Sequence, residues 1–240
     1  MELTVLGCNG PFPEAGEACS GYLLRSGGHC LLLDCGSGVL GKLAMHVPFA
    51  ALDGLVLTHL HADHMSDALV LRYALEFARQ SGERTQPLPL WRPSEPAVWA
   101  GLLEGTPVFE TREPESGTIG PWSLYFLAVR HPVPAFAVRA ETGGKALVYT
   151  GDTNLCPELA DFARGADLLL ADAAFPLERW RAELPHMSAW HAGELAAKAG
   201  AGRLLLTHFA PGSDRDRLLG QARECFASAA CARPGLSVQI

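Results

Sequence analysis

Leu55-Val56-Leu57-Thr58-His59-Leu60-His61-Ala62-Asp63-His64 runs from a short apolar strand pattern straight into a knot of polar, titratable side chains. Three imidazoles and a carboxylate within six residues are costly to bury, because every imidazole needs a defined tautomer and a partner. A divalent cation meets that demand, since neutral imidazole and carboxylate oxygen are preferred ligands of zinc and its neighbours. If the chain stays extended, the alternate residues His59 and His61 point the same way. Asp63 and His64 then fall where the chain turns into a helix and face a second position close by. A single histidine here would read as a satisfied core or surface residue; four ligand-type residues at this spacing read as a metal site.

Further ligand candidates recur at the ends of other apolar strands. His131 follows Tyr125–Val129, Asp152 follows Leu147-Val148-Tyr149-Thr150-Gly151, and His208 follows Leu204-Leu205-Leu206-Thr207. Loops at strand ends let a rigid sheet present groups to a shared cleft. Together these residues add the nitrogen and oxygen donors that two metals require, including a carboxylate able to bridge.

Around these sites the apolar pattern comes in two batches. Leu3–Leu6, Gly21–Arg25, Cys30–Asp34 and Leu55–Thr58 read as strands, with a hairpin turn at Ser26-Gly27-Gly28. Ser66–Gln80 reads as an amphipathic helix, Pro87–Pro93 as a connector holding a short strand, and Glu95–Leu103 as a helix. Glu113–Gly120 reads as a polar turn. Ser123–Val129, Ala135–Ala140, Ala146–Tyr149, Leu168–Ala171, Arg203–Thr207 and Leu236–Ile240 form the second batch. Leu155–Ala163, Ala189–Ala199 and Arg215–Ala227 are its helices. Strands in two groups, each followed by helices, predict an α/β fold of two sheets packed face to face. With no repeat or linker, residues 1–240 are expected to form one domain.

The totals narrow the function. A formal net charge of −7 with scattered Lys and Arg lacks the basic face of a protein that tracks long nucleic acid. Seven cysteines without a Cys-x-x-Cys pair point to buried thiols in a reducing compartment. Met1 leads directly into a strand pattern, with no secretory signal and no apolar run near the ~20 residues of a membrane span. A cytoplasmic protein without membrane association is expected.

The set His59, His61, Asp63, His64, His131, Asp152 and His208 resembles the metallo-β-lactamase-fold hydrolases, matching their five short motifs in order along essentially the whole chain. That resemblance implies a four-layer αβ/βα sandwich of two mixed β-sheets. It also implies two divalent metal ions, with zinc favoured and manganese or iron compatible. His59, His61 and His131 would hold one ion, Asp63, His64 and His208 the other, and Asp152 would bridge them.

Two local features narrow the reaction. His131-Pro132-Val133-Pro134 is similar to a stretch of the tRNA 3′-processing ribonuclease (RNase Z) branch, and the His-x-x-Gly-His-Thr-x-Gly segment of thioesterases and lactonases is absent. In Pro185-His186-Met187-Ser188, His186 precedes His208 by 22 residues, as a proton-donating histidine does in that branch. Asp172 stands where the branch has the carboxylate that holds this histidine, while Ala171 replaces a family histidine. The resemblance thus implies that hydroxide generated at the two metals attacks phosphorus, that His186 protonates the departing oxygen, and that Asp63 hydrogen-bonds the hydroxide. Asp172 should orient His186 and raise its pKa. His191 reads as a helix-surface residue, and Phe12, Trp91, Trp99, Trp122, Trp180 and Trp190 as residues of a pocket or of the packing. The RNase Z branch carries a long tRNA-gripping arm between the positions of His131 and Asp152. Only 20 residues separate them here, filled by two strands and the turn at Thr142-Gly143-Gly144. The expectation is a phosphodiesterase for a small diester, such as a cyclic nucleotide or short oligonucleotide. An ester, thioester or lactone hydrolase and a non-catalytic metal-bound nucleotide- or protein-binding scaffold are the alternatives. A homodimer stays open.

Overall fold

The computed structural model describes residues 1–240. Its strands in the first half are β1 (Glu2–Gly7), β2 (Gly21–Ser26), β3 (His29–Leu33), β4 (Gly54–Val56), β5 (Leu88–Trp91) and β6 (Phe109–Arg112). Those that follow are β7 (Gly117–Ile119), β8 (Trp122–Ala128), β9 (Phe136–Thr142), β10 (Lys145–Tyr149), β11 (Leu168–Asp172), β12 (Leu204–Thr207), β13 (Ala229–Cys231) and β14 (Ser237–Gln239). The helices are α1 (Val39–Leu43), α2 (Ala62–Met65), α3 (Ala68–Gln80), α4 (Ala97–Ala100), α5 (Leu159–Phe162), α6 (Ala189–Ala199) and α7 (Arg215–Cys225).

The strands form two seven-stranded sheets, ordered β14-β1-β2-β3-β4-β5-β6 and β13-β12-β11-β10-β9-β8-β7. Both are mixed. Pairing is antiparallel from β14 to β3 and parallel from β3 to β6. In the second sheet it is antiparallel from β7 to β10 and parallel from β10 to β13.

Side-chain alternation along the strands explains the layering. Tyr22 and Leu24 of β2 and Leu31 and Leu33 of β3 join one core with Leu124, Val138, Leu147 and Tyr149 of the opposing sheet. Tyr22 and Tyr149 meet with ring centroids 4.9 Å apart. Leu23 and Leu32 turn the other way and pack with Leu71 and Leu75 of α3. Leu195 of α6 and Leu218 of α7 complete the apolar packing on the second sheet. Helices, sheet, sheet and helices are therefore the four layers of a metallo-β-lactamase fold.

Several elements depart from the sequence reading. The stretch Glu113–Gly120 contains strand β7, whose Gly-Thr-Ile is too short for an alternation to register. Strands β6 and β13 and helix α1 were not foreseen. Helix is confined to Leu159–Phe162 within Leu155–Ala163, because Pro157 delays its start. Helix α6 matches its expected span: the Ser188 hydroxyl caps its start by accepting from the His191 N–H at 3.2 Å, and Gly200 ends it with φ 62°. All seven cysteines are free thiols. No helix is long and apolar enough to cross a membrane.

Because β3 and β4 are parallel, as are β10, β11 and β12, while β8 is two antiparallel steps from β10, the C-terminal ends of these six strands gather at one end of the sandwich. The residues directly after them are the polar ones.

Candidate metal centre and active site

The fold brings all seven expected ligands into two adjoining groups. His59, His61, His131 and Asp152 form one, Asp63, His64, Asp152 and His208 the other, and within each group the donor atoms lie within 4.8 Å of one another. Asp152 belongs to both. As expected, His59 and His61 project together from extended chain, and α2 begins at Ala62, turning Asp63 and His64 to the second position.

In the first group, His59 Nε2 and His131 Nε2 each lie 3.1 Å from His61 Nδ1. The outer nitrogens of the two flanking rings have their own partners: His59 Nδ1 is 3.1 Å from Thr58 Oγ1 and His131 Nδ1 is 3.3 Å from the Pro185 carbonyl. A proton on His131 Nδ1 satisfies that carbonyl and leaves the Nε2 lone pair facing inward. Burial holds His59, His61, His131 and His208 below the usual imidazole range, with His131 at about 4 and His208 at about 3. Neutral imidazoles with converging lone pairs are what a divalent cation binds.

The second group is organised by Asp34, a buried residue at the end of β3 with φ 55°. Its carboxylate accepts from the Thr58 N–H at 2.8 Å, the Thr58 hydroxyl at 3.0 Å, the Tyr149 hydroxyl at 2.9 Å and His64 Nδ1 at 2.8 Å. Donation from Nδ1 fixes the tautomer of His64 and leaves Nε2 to face Asp152 Oδ2 at 3.2 Å and Asp63 Oδ2 at 3.6 Å. Both His64 Nε2 and Asp152 Oδ1 are buried without a well-aligned hydrogen bond. Burial disfavours an imidazolium at His64, yet Asp152 and Asp34 together push it well above the ordinary range. Burial likewise opposes ionisation of Asp152, and His208 and His64 overcome that to hold it well below the carboxylate range. The cluster thus calls for positive charge at its two unpartnered atoms, and a cation fits there.

Glycine makes room for two of these ligands. A Cβ at Gly10 would lie 2.0 Å from the His208 ring, and one at Gly36 would lie 1.9 Å from the Asp63 carbonyl oxygen. His208 itself holds φ 60°, a left-handed backbone that costs a non-glycine residue about 1–3 kcal/mol.

His186 stands at the open side of the cluster, its ring stacked on His208 with centroids 4.8 Å apart. Its Nδ1 is 2.8 Å from Asp172 Oδ2 and 3.9 Å from Asp152 Oδ2. Asp172 also accepts from the Thr153 and Ala174 N–H groups at 3.0 and 3.1 Å, which fixes its orientation. Burial works against charge on His186, but Asp172 outweighs it and raises the imidazole to about 9. Burial raises Asp172 to about 6 against the pull of His186. Between those values the two are an ion pair, with the proton on His186.

Other expectations fare differently. His191 is buried rather than on the helix surface, hydrogen-bonded to the Ser188 hydroxyl at 2.8 Å and lying 4.3 Å from the Trp180 ring. Trp91 and Trp122 are core residues, whereas Phe12 is exposed. Two residues with structural control of the site were not among the expected site residues. Asp34 falls in Leu33-Asp34-Cys35-Gly36, a stretch that belongs to the family resemblance, but no role was expected of it. Asn154 gave no signal: it is fully buried, and its side-chain amide donates to the carbonyls of Arg181, Ala182 and Leu184, ahead of His186.

Residues 29–209 match the family model described as a beta-lactamase superfamily domain. The chain is 37% identical over 232 residues to the probable metallo-hydrolase YhfI of Bacillus subtilis, covering 94% of each chain. The crystal structure of that metallo-β-lactamase-fold protein superposes with a TM-score of 0.94 at 35% identity, covering 99% of this chain and 98% of the other. A ribonuclease Z of Mycobacterium marinum is 31% identical over 250 residues, covering 88% of this chain and 87% of its own. Human short-form tRNase Z shares the fold, with a TM-score of 0.79 at 21% identity over 100% of this chain and 99% of that one.

Proposed function

This chain belongs to the β-lactamase superfamily, and on that premise we propose that it is a metallo-hydrolase that uses two divalent cations to cleave a small phosphodiester. The observation that carries the reading is the His186–Asp172 pair, 2.8 Å apart and set beside the shared carboxylate Asp152. Cations held by His59, His61, His131, Asp63, His64, His208 and the bridging Asp152 would supply Lewis acidity and acidify water at neutral pH. Zinc suits the nitrogen and oxygen donors; manganese and iron are compatible.

The protein's own groups supply the rest. His186, protonated up to about pH 9, donates to the departing oxygen through Nε2, since Nδ1 is committed to Asp172. Asp172 keeps that ring oriented and charged. Asp63, with one oxygen toward His64, offers the other to the attacking water. The similarity to a ribonuclease Z supports phosphorus chemistry. A small substrate rather than a long nucleic acid is supported by the acidic net charge and by the β9–β10 hairpin, which closes at Gly143-Gly144 with nothing inserted.

The deciding experiment couples metal analysis to a substrate panel: 2′,3′- and 3′,5′-cyclic nucleotides, a dinucleotide, a thioester and a lactone. Turnover of diesters at about two metals per chain is expected. Turnover confined to the thioester or lactone would overturn the reading, and none at all with full metal occupancy would favour a binding protein.

A further inference from the structure

A cavity of about 530 Å³, within the size range of small-molecule sites, is lined by segments that adjoin Asp172, His186 and His208 in the chain. It is built from the segments that follow the reactive residues: Ala174 and Phe175 after Asp172, Leu184 before His186, and Ala210 and Pro211 after His208. Phe175 is fixed relative to the proton donor. Its carbonyl accepts from the Ala189 N–H at 2.9 Å, its N–H reaches the Met187 carbonyl at 3.4 Å, and its ring meets His186 edge-on at 5.9 Å between centroids. Pro176 and the buried Leu218 add apolar surface to the lining.

The charged groups around it are nearly all committed. Arg217 pairs with Glu178, Glu178 also holds Gln221, and Asp214 caps α7 by accepting from the Arg217 N–H at 3.0 Å. Arg179 lines the cavity and makes no ion pair. A lining that combines the aromatic Phe175, the aliphatic Leu184 and Leu218 and the uncommitted guanidinium of Arg179 suits a planar heterocycle with hydrogen-bonding edges. It does not suit a bare anion, for which the aliphatic surface would be wasted.

Building on the diesterase reading, we infer that this cavity receives the nucleoside attached to the departing oxygen, with its base against Phe175 and its polar edge toward Arg179. The substrate is then a nucleotide diester with a nucleoside on the leaving side. Hydrolysis breaks the phosphorus–oxygen bond to that nucleoside. Water adds hydroxide to phosphorus, and the nucleoside oxygen leaves with the proton from His186. The cavity therefore selects the leaving group.

Two measurements test this, on metal-loaded protein and the variants Phe175→Leu, Arg179→Ala and Ser213→Trp, the last filling the cavity from its rim. Saturation-transfer NMR with adenosine and uridine reads the cavity without turnover. Base-proton signals are expected with the parent and lost with Ser213→Trp; their absence from the parent, or persistence in Ser213→Trp, overturns the proposal. Kinetics then compare a dinucleotide with methyl 4-nitrophenyl phosphate, a diester that carries no nucleoside. Arg179→Ala is expected to raise KM for the dinucleotide by about tenfold, in line with the usual effect of losing a base contact, and to leave the nucleoside-free ester unchanged. Phe175→Leu, which removes a ring that also meets His186, is expected to raise KM for the dinucleotide by the larger factor. Equal effects on both esters, or on neither, overturn it. If the parent cleaves neither ester, the diesterase reading fails, while the NMR result still decides the cavity.

Discussion

His186 carries a charge that an isolated imidazole would have shed by neutral pH, and the main cause is the Asp172 carboxylate, with Asp152 adding to it. Its pKa is raised, so the protonated, donating form persists up to about pH 9 and is lost above it. The rate is therefore expected to fall on the alkaline side near that value. Replacing Asp172 with Asn should bring that limb down toward the ordinary imidazole value of about 6.5. His186→Ala should abolish the limb and lower kcat by about 10²–10⁴-fold, with metal content unchanged. A pH–rate profile of the three proteins, each with metal analysis, checks this. An alkaline limb that survives in His186→Ala would assign the proton to another group.

At the scale of elements, the loop that presents His186 is held from outside by Asn154. Its amide reaches three carbonyls of residues 181–184, while its side-chain oxygen accepts from the Trp180 indole at 3.1 Å and from the Leu155 N–H at 2.7 Å. Its own N–H donates to the Arg130 carbonyl at 3.0 Å, so the loops of His131, Asp152 and His186 share one anchor. Asn154→Ala is expected to cost about 1–3 kcal/mol of stability and to lower kcat at least about tenfold by loosening His186, since small displacements of a reacting group are costly. Denaturant unfolding and kinetics, with metal content measured alongside, would show it; full activity in this variant would leave the loop self-supporting. The same contrast explains what was legible beforehand. The ligands could be read because metal chemistry restricts them to histidine and aspartate, and strand ends place them. Strands β2, β3, β9 and β10 could be read because each holds a run of apolar residues long enough to stand out. Strands β7 and β13, with three residues each, are defined by their partners rather than by any pattern of their own. Asn154 and Asp34 act through backbone and buried groups supplied by distant segments, and those meetings exist only in the folded chain. His191 was misplaced for a related reason, since its burial depends on Trp180 in the preceding loop.

For the whole molecule, the cluster joins two sheets that otherwise meet mainly through apolar side chains, with the Tyr149–Asp34 and Tyr22–Thr207 hydrogen bonds beside it. His59, His61, Asp63 and His64 come from the half that builds the first sheet, and His131, Asp152 and His208 from the half that builds the second. Binding of cations to the folded state alone should raise its melting temperature by mass action. Chelation is therefore expected to lower Tm, and re-addition of zinc to restore it at about two equivalents. The chelated protein should also be acid-sensitive. His131 and His208 have folded pKa values depressed to about 4 and 3, so the unfolded chain takes up protons first as pH drops below about 6.5. The contribution of these two histidines to the stability of the chelated protein should thus be full above that pH and decline down to pH 3–4, as followed by urea unfolding. A chelated protein equally stable at pH 7 and pH 5 would contradict this.

The close approaches at Gly10 and Gly36 carry a lesson for mutational scanning. In a saturation library selected for activity, both positions should come through as glycine alone, scoring as strictly as the histidines. Yet neither has a side chain to contribute. The first keeps clear the volume occupied by the His208 ring and the second the volume occupied by the Asp63 carbonyl. A fitness map of this chain would therefore mark as essential two residues whose whole contribution is empty space, and the functional groups they protect would be found by looking at what fills it.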